Sequence, residues 1–537
     1  MAGATQSKVK NTYWEITPRT EPSVWSQLLK NRQIDPSNLD KFINPTLGDL
    51  DDPLLLPGVK EGRDRILEAV KNGEKIVIYG DYDVDGVSAT AVLWEAIDKL
   101  GGKVLPYIPD RFSEGYGINS EAIQKLSDEG NKLIISVDSG VTAFEQIALA
   151  KKLGVDFIIT DHHALPDKLP PALAIIHTTN LAGVGVAYKL AQTLIPDPAL
   201  ELVALGTIAD VVPLTFENRI LAKLGIEALQ KTTRPGLLAL YEQAGLEKNK
   251  IGTYEIGFVI GPRLNAMGRL EHALESLRIL LTRDPARAKQ LAKKLGDTNE
   301  ERRRQTLEMV THARQSVADG AREKIWVLSH PSYAQGIIGL IAGRLAEEWG
   351  RPVLAIAEGE EISKGSARSV PGFNVVQAIA CAKDLLVTYG GHPQAAGFTI
   401  KTKDIPLFRQ RLTKYASQSL KDDDLTRRLL IDTEISPAEA TTELARQVSS
   451  LAPFGPGNPN PLFVTKDLEV GEMKLLSENK HLRLGLGPFE AIGFGLGPRG
   501  SEVRPGMKID AVFHLEINNW RERERLQLKL RDFQVKS

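Results

Sequence analysis

The residues of this chain that could do chemistry crowd into a few short stretches. In GDYDVDGVSAT, from Gly80 to Thr90, Asp81, Asp83 and Asp85 alternate directly after the apolar run KIVIY and directly before Gly86. Like charges at that spacing repel one another unless something neutralises them, and a divalent cation does so efficiently. An alternating Asp run that ends in glycine also fits a solvated turn or a calcium loop of the EF-hand kind. The calcium loop, however, needs two flanking helices and a closing glutamate. Here a strand-like run precedes the aspartates and VSATAVLW follows without that glutamate. Further candidate ligands stand elsewhere: Asp138 closes KLIISVD, Asp161, His162 and His163 follow FIIT, and Asp210 ends ELVALGTIAD. Paired histidines beside a carboxylate are poor core material and good ligands for metal or phosphate. Carboxylates with an imidazole suit Mn²⁺ or Mg²⁺ better than zinc or copper. Two such ions sharing a carboxylate would activate water and clamp the oxygens of a phosphoryl displacement, so the expected reaction class is phosphoester hydrolysis.

These residues need a scaffold that brings distant loops together. From Lys75 the pattern alternates apolar runs with amphipathic stretches: KIVIYG then VSATAVLWEAIDKL, KVLPYIP then SEAIQKLSDEG, KLIISVD then AFEQIALAKKLG, then DFIITD. That rhythm predicts an α/β fold with buried parallel strands, whose carboxyl-end loops converge on one crevice. GVAYKLAQTLI and ELVALGTIAD continue as helices. Residues 284–322 are long, charged and free of proline after Pro285, which predicts a helical connector. A second α/β pattern follows over 323–420, with IWVLSH and PVLAIAE as strands and GIIGLIAGRLAEEWG as a helix. Beyond 421 come the acidic KDDDL, the loop LAPFGPGNPNPLF and alternating short strands, which predict a linker and an OB-like β-barrel.

Bulk properties restrict rather than identify. The 537 residues are 42% hydrophobic and 25% charged, ordinary for a soluble multidomain chain. Lys plus Arg number 67 against 68 Asp plus Glu, so net charge neither demands nor excludes nucleic acid. A single cysteine, Cys381, excludes an internal disulfide framework and agrees with a reducing interior. The N-terminus lacks an apolar signal region and no run is long enough for a membrane span, so a cytoplasmic protein is expected.

In combination, DYDVDG, VDSG, DHH and LGTIADVVPL resemble the motifs of the DHH phosphoesterase superfamily, and within it the RecJ family of single-strand-specific exonucleases. The resemblance extends from NRQIDPSNLDKFINPTLGDLDDPLLLPG through GPRLNAMGRL, GIIGLIAGRL, KGSARS, GGHPQAAGF and LAPFGPGNPNPLF into the C-terminal barrel. It implies an N-terminal segment, 1–70, packing on a DHH domain of 71–283, then the connecting helix, a DHHA1 domain of 323–420 that closes over the substrate, and a barrel domain within 421–537. It implies that Asp83, Asp85, Asp138, His162 and Asp210 hold two Mn²⁺ or Mg²⁺ ions, with Asp138 as the bridge. Asp81 would ligate or orient water, and His163 would face the scissile phosphate. Arg263, Asn265, Arg269, Ser366, Arg368, Gly390, Gly391 and His392 are the implied contacts to phosphate and DNA, the last three forming a glycine-opened turn. The implied activity is 5′ to 3′ hydrolysis of single-stranded DNA in repair and recombination, with a single-strand-binding protein and a helicase as partners.

An unpaired strand also calls for a basic channel with stacking surfaces. Trp520 and Phe494 are candidates, Phe494 being expected in the barrel core. The chain departs from the family pattern in two places. ALPDKLPPALAIIHTTNLA after the DHH motif is short and carries HTTN where an asparagine-proline stretch is usual. PSYAQG has Ala334 where a histidine is usual, leaving Gln335 or His330 to substitute in part. Two other functions compete. A hydrolase of short oligonucleotides or cyclic dinucleotides would have no use for the barrel, and a non-catalytic strand-binding replication factor would have no use for so many clustered carboxylates.

Overall fold

The structure, a computed structural model, describes residues 12–111, 113–115, 117–317, 323–520 and 523–536. It divides into two compact units, one formed by Trp14–Leu264, Ala273–Ala292 and the residues from Leu430 on, the other built on Asn265–His272 and Lys293–Leu429.

In the first unit a five-stranded sheet is wholly parallel: β1 (Lys75–Tyr79), β2 (Lys103–Tyr107), β3 (Asn131–Val137), β4 (Asp156–Asp161) and β5 (Ala174–His177) lie in the order β2-β1-β3-β4-β5. Both faces of the central strands are covered, so their sequences run apolar without alternation; Ile76, Ile78, Tyr79, Leu133, Ile134, Ile135, Ile158 and Ile159 are fully buried. The edge strand β2 tolerates Pro106 and leaves Leu105 exposed. Helix α1 (Val84–Lys99) follows β1 and is buried along most of its length between the sheet and two further helices, α2 (Gly183–Gln192) and α3 (Leu200–Ala209). At the far end from the aspartates, Arg234 pins α1 to α3: its guanidinium meets both oxygens of Glu95 at 2.5 and 2.7 Å and bonds Glu201 through Nε. The helices that carry Asp85 and Asp210 are therefore fixed by an ion pair at one end while acidic groups face each other at the other.

The C-terminal strands β11 (Phe463–Leu476), β12 (His481–Leu486), β13 (Phe489–Gly493), β14 (Lys508–Trp520) and β15 (Arg523–Val535) close into a barrel. All pairings are antiparallel except β13 with β15, and β14 returns to β11 to complete the ring. This is the OB-like arrangement expected, closed around Phe463, Leu484, Phe513 and Phe533. Phe494 lies not in that core but on the surface, 60% exposed, edge-on to His481. It follows the last residue of β13 in a turn, where the inward alternation of the strand no longer applies. The side chain of Trp520 lies outside the described residues. The N-terminal segment is divided in its packing. Trp14 donates to Asp532 at 2.8 Å and Val24 and Leu28 enter the barrel core, whereas Asp51 accepts from Lys189 on α2 and Gly58 sits against β5.

The second unit contains a mixed sheet of β6 (Trp326–His330), β7 (Val353–Ala357), β8 (Ile362–Arg368), β9 (Leu386–His392) and β10 (Ala395–Lys401), ordered β9-β10-β8-β7-β6, with helix α6 (Ile338–Trp349) packed on β7 and β8. Gly390, Gly391 and His392 do not form the expected turn. They are extended at the end of the edge strand β9, paired with Gly397, Ala396 and Ala395 across a hairpin that turns immediately afterwards. Gly391 is required by close approach, since a Cβ there would fall 2.4 Å from the Ala395 carbonyl oxygen. The connector is one helix, α5 (Pro285–Gln315), and residues 318–322 of its expected span lie outside the described residues.

Arg234→Met leaves two half-buried carboxylates unpaired between α1 and α3. A loss of about 3 kcal/mol is expected in urea unfolding. Unchanged stability would mean that the pin is dispensable.

Candidate metal centre

The carboxyl ends of β1, β3 and β4 and the carboxyl end of α3 meet at one cluster. Asp83 caps α1, accepting from the Gly86 N–H at 3.1 Å. That bond opens the helix and turns Asp85 inward, where both its oxygens accept backbone N–H groups at the start of α2, from Gly183 at 2.7 Å and Val184 at 2.9 Å. A helix N-terminus is a favourable seat for a buried anion. Asp138 follows β3 with φ of 56°, a left-handed conformation that a non-glycine residue adopts at a cost of about 1 kcal/mol or more. Its Oδ1 is buried 3.1 Å from His162 Nε2 and makes no hydrogen bond. His162 Nε2 is also 3.7 Å from Asp210 and 4.0 Å from Asp85.

Ligand atoms of Asp138, His162 and His163, of Asp85, His162 and Asp210, and of Asp81, Asp83 and Asp138 fall within 4.8 Å of one another in each group. Asp138 and His162 each belong to more than one group, so the three sets form one continuous cluster. An orphaned carboxylate oxygen beside an imidazole nitrogen is what two ligands aimed at a shared cation leave behind. The spacing agrees with neighbouring ligands about 3 Å apart around Mg²⁺ or Mn²⁺. The donor set, mostly carboxylate oxygens with His162 and His163 as the imidazoles, fits those ions.

The electrostatics have the same origin. Burial, followed by the charge of Asp83, pushes the carboxyl of Asp81 up to about 8 and that of Asp210 up to about 7. Asp85 and Asp138 are also raised well above the usual range, first by burial and then by the neighbouring carboxylates. His162 is pushed down to about 4, chiefly by burial and then by His163, and is a neutral imidazole at neutral pH. His163 moves the other way because Asp161 accepts from its Nδ1 at 2.7 Å. Asp161 is buried and also accepts from the backbone N–H groups of Val141, His162 and His163. It is thus a positioning residue for the histidine pair rather than a ligand. Its three backbone bonds could not be read from the DHH string.

The sequence also left two glycines unmarked. A Cβ at Gly183 would stand 2.5 Å from Asp138 Oδ1, and one at Gly206 would stand 2.5 Å from Asp85 Oδ1. Both let a helix backbone close on a carboxylate of the cluster, and neither lies in an obvious loop. Arg111 adds a cation, its guanidinium 4.8 Å from the Tyr82 ring and close enough to lower the Asp81 carboxyl in part. The unusual HTTN stretch touches the site, since His177 Nε2 bonds the His163 carbonyl at 2.7 Å.

The residues expected at phosphate and DNA fall in both units. Arg263 is engaged internally with the Val259 carbonyl and Gln243, both at 2.8 Å. In the second unit, Arg269 bonds the Gly336 carbonyl at 3.3 Å, and Asn265 lies half-buried on the same helix, Gly261–Leu270. Arg368 bonds Ser366 at 3.2 Å, and a Cβ at Gly339 near the start of α6 would lie 3.1 Å from Ser366 Oγ. Strand register places Gly390 level with Ser366, and His392 level with Arg368, across β10. His330, near Ala334, bonds Ser332 at 2.7 Å and packs against His312.

The fold and cluster define a DHH phosphoesterase extended by two further domains. Residues 75–207 match the N-terminal domain of the DHH family, 322–418 the DHHA1 domain and 431–532 the RecJ OB domain. The single-stranded-DNA-specific exonuclease RecJ of Bacillus subtilis (strain 168) is 37% identical over 550 residues, spanning 99% of this chain and 70% of that protein. The protein of the same name from Escherichia coli (strain K12) is 32% identical over 523 residues, 88% of this chain and 89% of its own. Among solved structures, RecJ in complex with Mn²⁺ from Thermus thermophilus superposes with a TM-score of 0.85 at 29% identity, covering 98% of this chain and 80% of that one. RecJ in complex with Mg²⁺ from the same source gives 0.78 at 28% identity, covering 98% and 79%. The chain belongs to the RecJ family.

Metal-free protein has carboxyls whose folded pKa exceeds the unfolded value, so it binds extra protons when folded and its stability falls as pH rises toward about 8. Saturating Mn²⁺ displaces those protons. The stability that Mn²⁺ adds over chelator, read from the melting temperature, is expected to grow from pH 6 to pH 8.5, and amounts to about 3 kcal/mol wherever Mn²⁺ stands at a hundredfold excess over Kd. A margin that shrank with pH would contradict the assignment. Gly183→Ala, which intrudes on Asp138, should weaken Mn²⁺ binding at least tenfold by calorimetry, about 1.4 kcal/mol.

Proposed function

We propose that this chain is a Mn²⁺- or Mg²⁺-dependent exonuclease that removes nucleotides from single-stranded DNA, working 5′ to 3′. The single observation that carries the reading is the cluster around Asp138, in a chain whose family membership spans its whole length. Asp83, Asp85, Asp138, His162 and Asp210 would hold the cations, and Asp138, common to two of the ligand groups, would be the ligand that two ions share. When bound, such cations supply Lewis acidity and an activated water at neutral pH. The protein's own groups do the rest. His163, whose imidazolium form is favoured by its hydrogen bond to Asp161, faces the scissile phosphate and helps to offset its charge. Asp81, buried and beside Asp83, orients the attacking water. Arg111 balances the acidic edge. Ser366 and Arg368 hold phosphate oxygens of the DNA, with the Gly390–His392 backbone in register beside them, and Asn265 and Arg269 are further contacts to the strand. Arg263 is the weakest of the expected contacts, since its hydrogen bonds are spent inside the fold. A single-strand-binding protein and a helicase are the partners that would present such a substrate, and DNA repair and recombination the setting.

Digestion of end-labelled single and double strands tests the proposal. With Mn²⁺, label at the 5′ end of a single strand should be released first as mononucleotide, the duplex should resist, and chelator should stop both. Strand binding without nucleotide release would instead mark a non-catalytic relative, and turnover confined to dinucleotides a small-substrate hydrolase. Asp138→Ala should reduce hydrolysis by at least about a thousandfold, roughly 4 kcal/mol or more, while the melting temperature in chelator stays level or rises as a buried charge is lost. Residual turnover near the normal rate would end the Asp138 assignment.

A further inference from the structure

The loop that leaves Asp210 carries two anomalies that the metal centre does not explain. Val211 and Phe216 both have left-handed backbones, with φ of 63° and 45°. For a β-branched residue and a bulky aromatic these are outliers, as glycine or asparagine would normally stand there. Both side chains also point to solvent, Phe216 being 89% exposed, the largest value among the described large hydrophobics, and Val211 63%. The loop between them is rigidly held. Leu214 is buried and donates its N–H to the Pro456 carbonyl at 2.7 Å. Glu217 pairs with the buried Lys189 and accepts from the Asp51 N–H at 2.9 Å. Asn218 is buried and bonds the carbonyls of Asn180 and Pro213 at 2.9 and 3.2 Å. Arg219 reaches the carbonyls of Phe42 and Ala452 at 3.0 and 2.9 Å. Strain and apolar exposure are thus held in place by surrounding packing, as is typical of functional surfaces.

We propose that Val211 and Phe216 form an apolar lip on which an unpaired nucleobase stacks as its strand passes to the metal centre. The occupant follows from position and chemistry. The lip begins at the residue after Asp210, and a flat, apolar ring offered to solvent matches the face of a base that pairing and duplex stacking would hide. It would therefore contribute to the preference for single strands without reading sequence. The inference rests on the exonuclease reading and refines it.

Phe216→Asn suits the test because asparagine accepts the left-handed backbone, so the melting temperature should stay level or rise. In chelator, an oligonucleotide bearing 2-aminopurine near its 5′ end should be quenched on binding the unaltered protein and much less on binding F216N. With Mn²⁺, KM for single-stranded DNA should rise about tenfold, with a smaller change in kcat, and F216W should restore both readouts. Quenching and KM in F216N equal to those of the unaltered protein would overturn the lip while leaving the exonuclease reading intact. An unaltered protein that neither quenches the probe nor digests single strands would remove both.

Discussion

The constraint on which this structure depends is the repulsion among carboxylates buried at the carboxyl edge of a parallel sheet. Asp81, Asp85 and Asp138 are each at most 5% exposed, and no lysine or arginine forms an ion pair with them among the described residues. Buried like charges spread apart or take up protons unless the scaffold prevents the first and a cation the second. The scaffold's means are visible. The N-terminus of α2 holds Asp85, Asp83 caps its own helix, and the left-handed turn at Asp138 aims an unbonded oxygen inward. Arg234 binds α1 to α3 well away from the charge. The groups that favour charge, the Gly183 and Val184 N–H groups on Asp85 and Arg111 near Asp81, are outweighed in the ion-free cluster by burial and mutual repulsion, so the arrangement prefers a cation.

Much of this is legible in the amino-acid sequence. A parallel strand covered on both faces must be apolar along its length, so KIVIY, KLIISV and FIIT announced themselves and placed the acidic residues at strand ends. Spacing along the chain also sufficed for the barrel strands, where alternation is local. What stayed hidden was non-local. Gly183 and Gly206 matter because a carboxylate from another element approaches within 2.5 Å of where their Cβ would be, and no sequence window contains both partners. Asp161 opens the DHH string, but its role depends on backbone donors at Val141, from the loop after β3, and at His162 and His163. Gly390 and Gly391 suggested a turn because paired glycines usually break strands, yet pairing with β10 keeps them extended. Phe494 suggested core because its neighbours alternate, and one residue past the strand end reversed its exposure.

The proline- and glycine-rich loop before the barrel illustrates how such distant parts are made to cooperate. Gly455 and Gly457 leave room for Leu214 and Thr215, since a Cβ at either would come within 2.9 Å of those side chains. Arg219 draws the same loop in, its guanidinium against the Phe42 ring at 3.7 Å and its donors on the carbonyls of Phe42, Ala452 and Pro453. Burial pushes this arginine down to about 10, still charged at neutral pH. Carbonyl dipoles take up its terminal N–H groups, and among the described residues no carboxylate pairs with it. In a region where carboxylates already repel, that choice matters. An aspartate or glutamate paired with Arg219 would have fastened the loop equally well, but would have placed one more anion close to Thr215 and to the loop leaving Asp210. The barrel and the parallel sheet are joined through a neutral-acceptor clamp, so the segment that carries Asp210 is held firmly without adding to the repulsion within the acidic cluster.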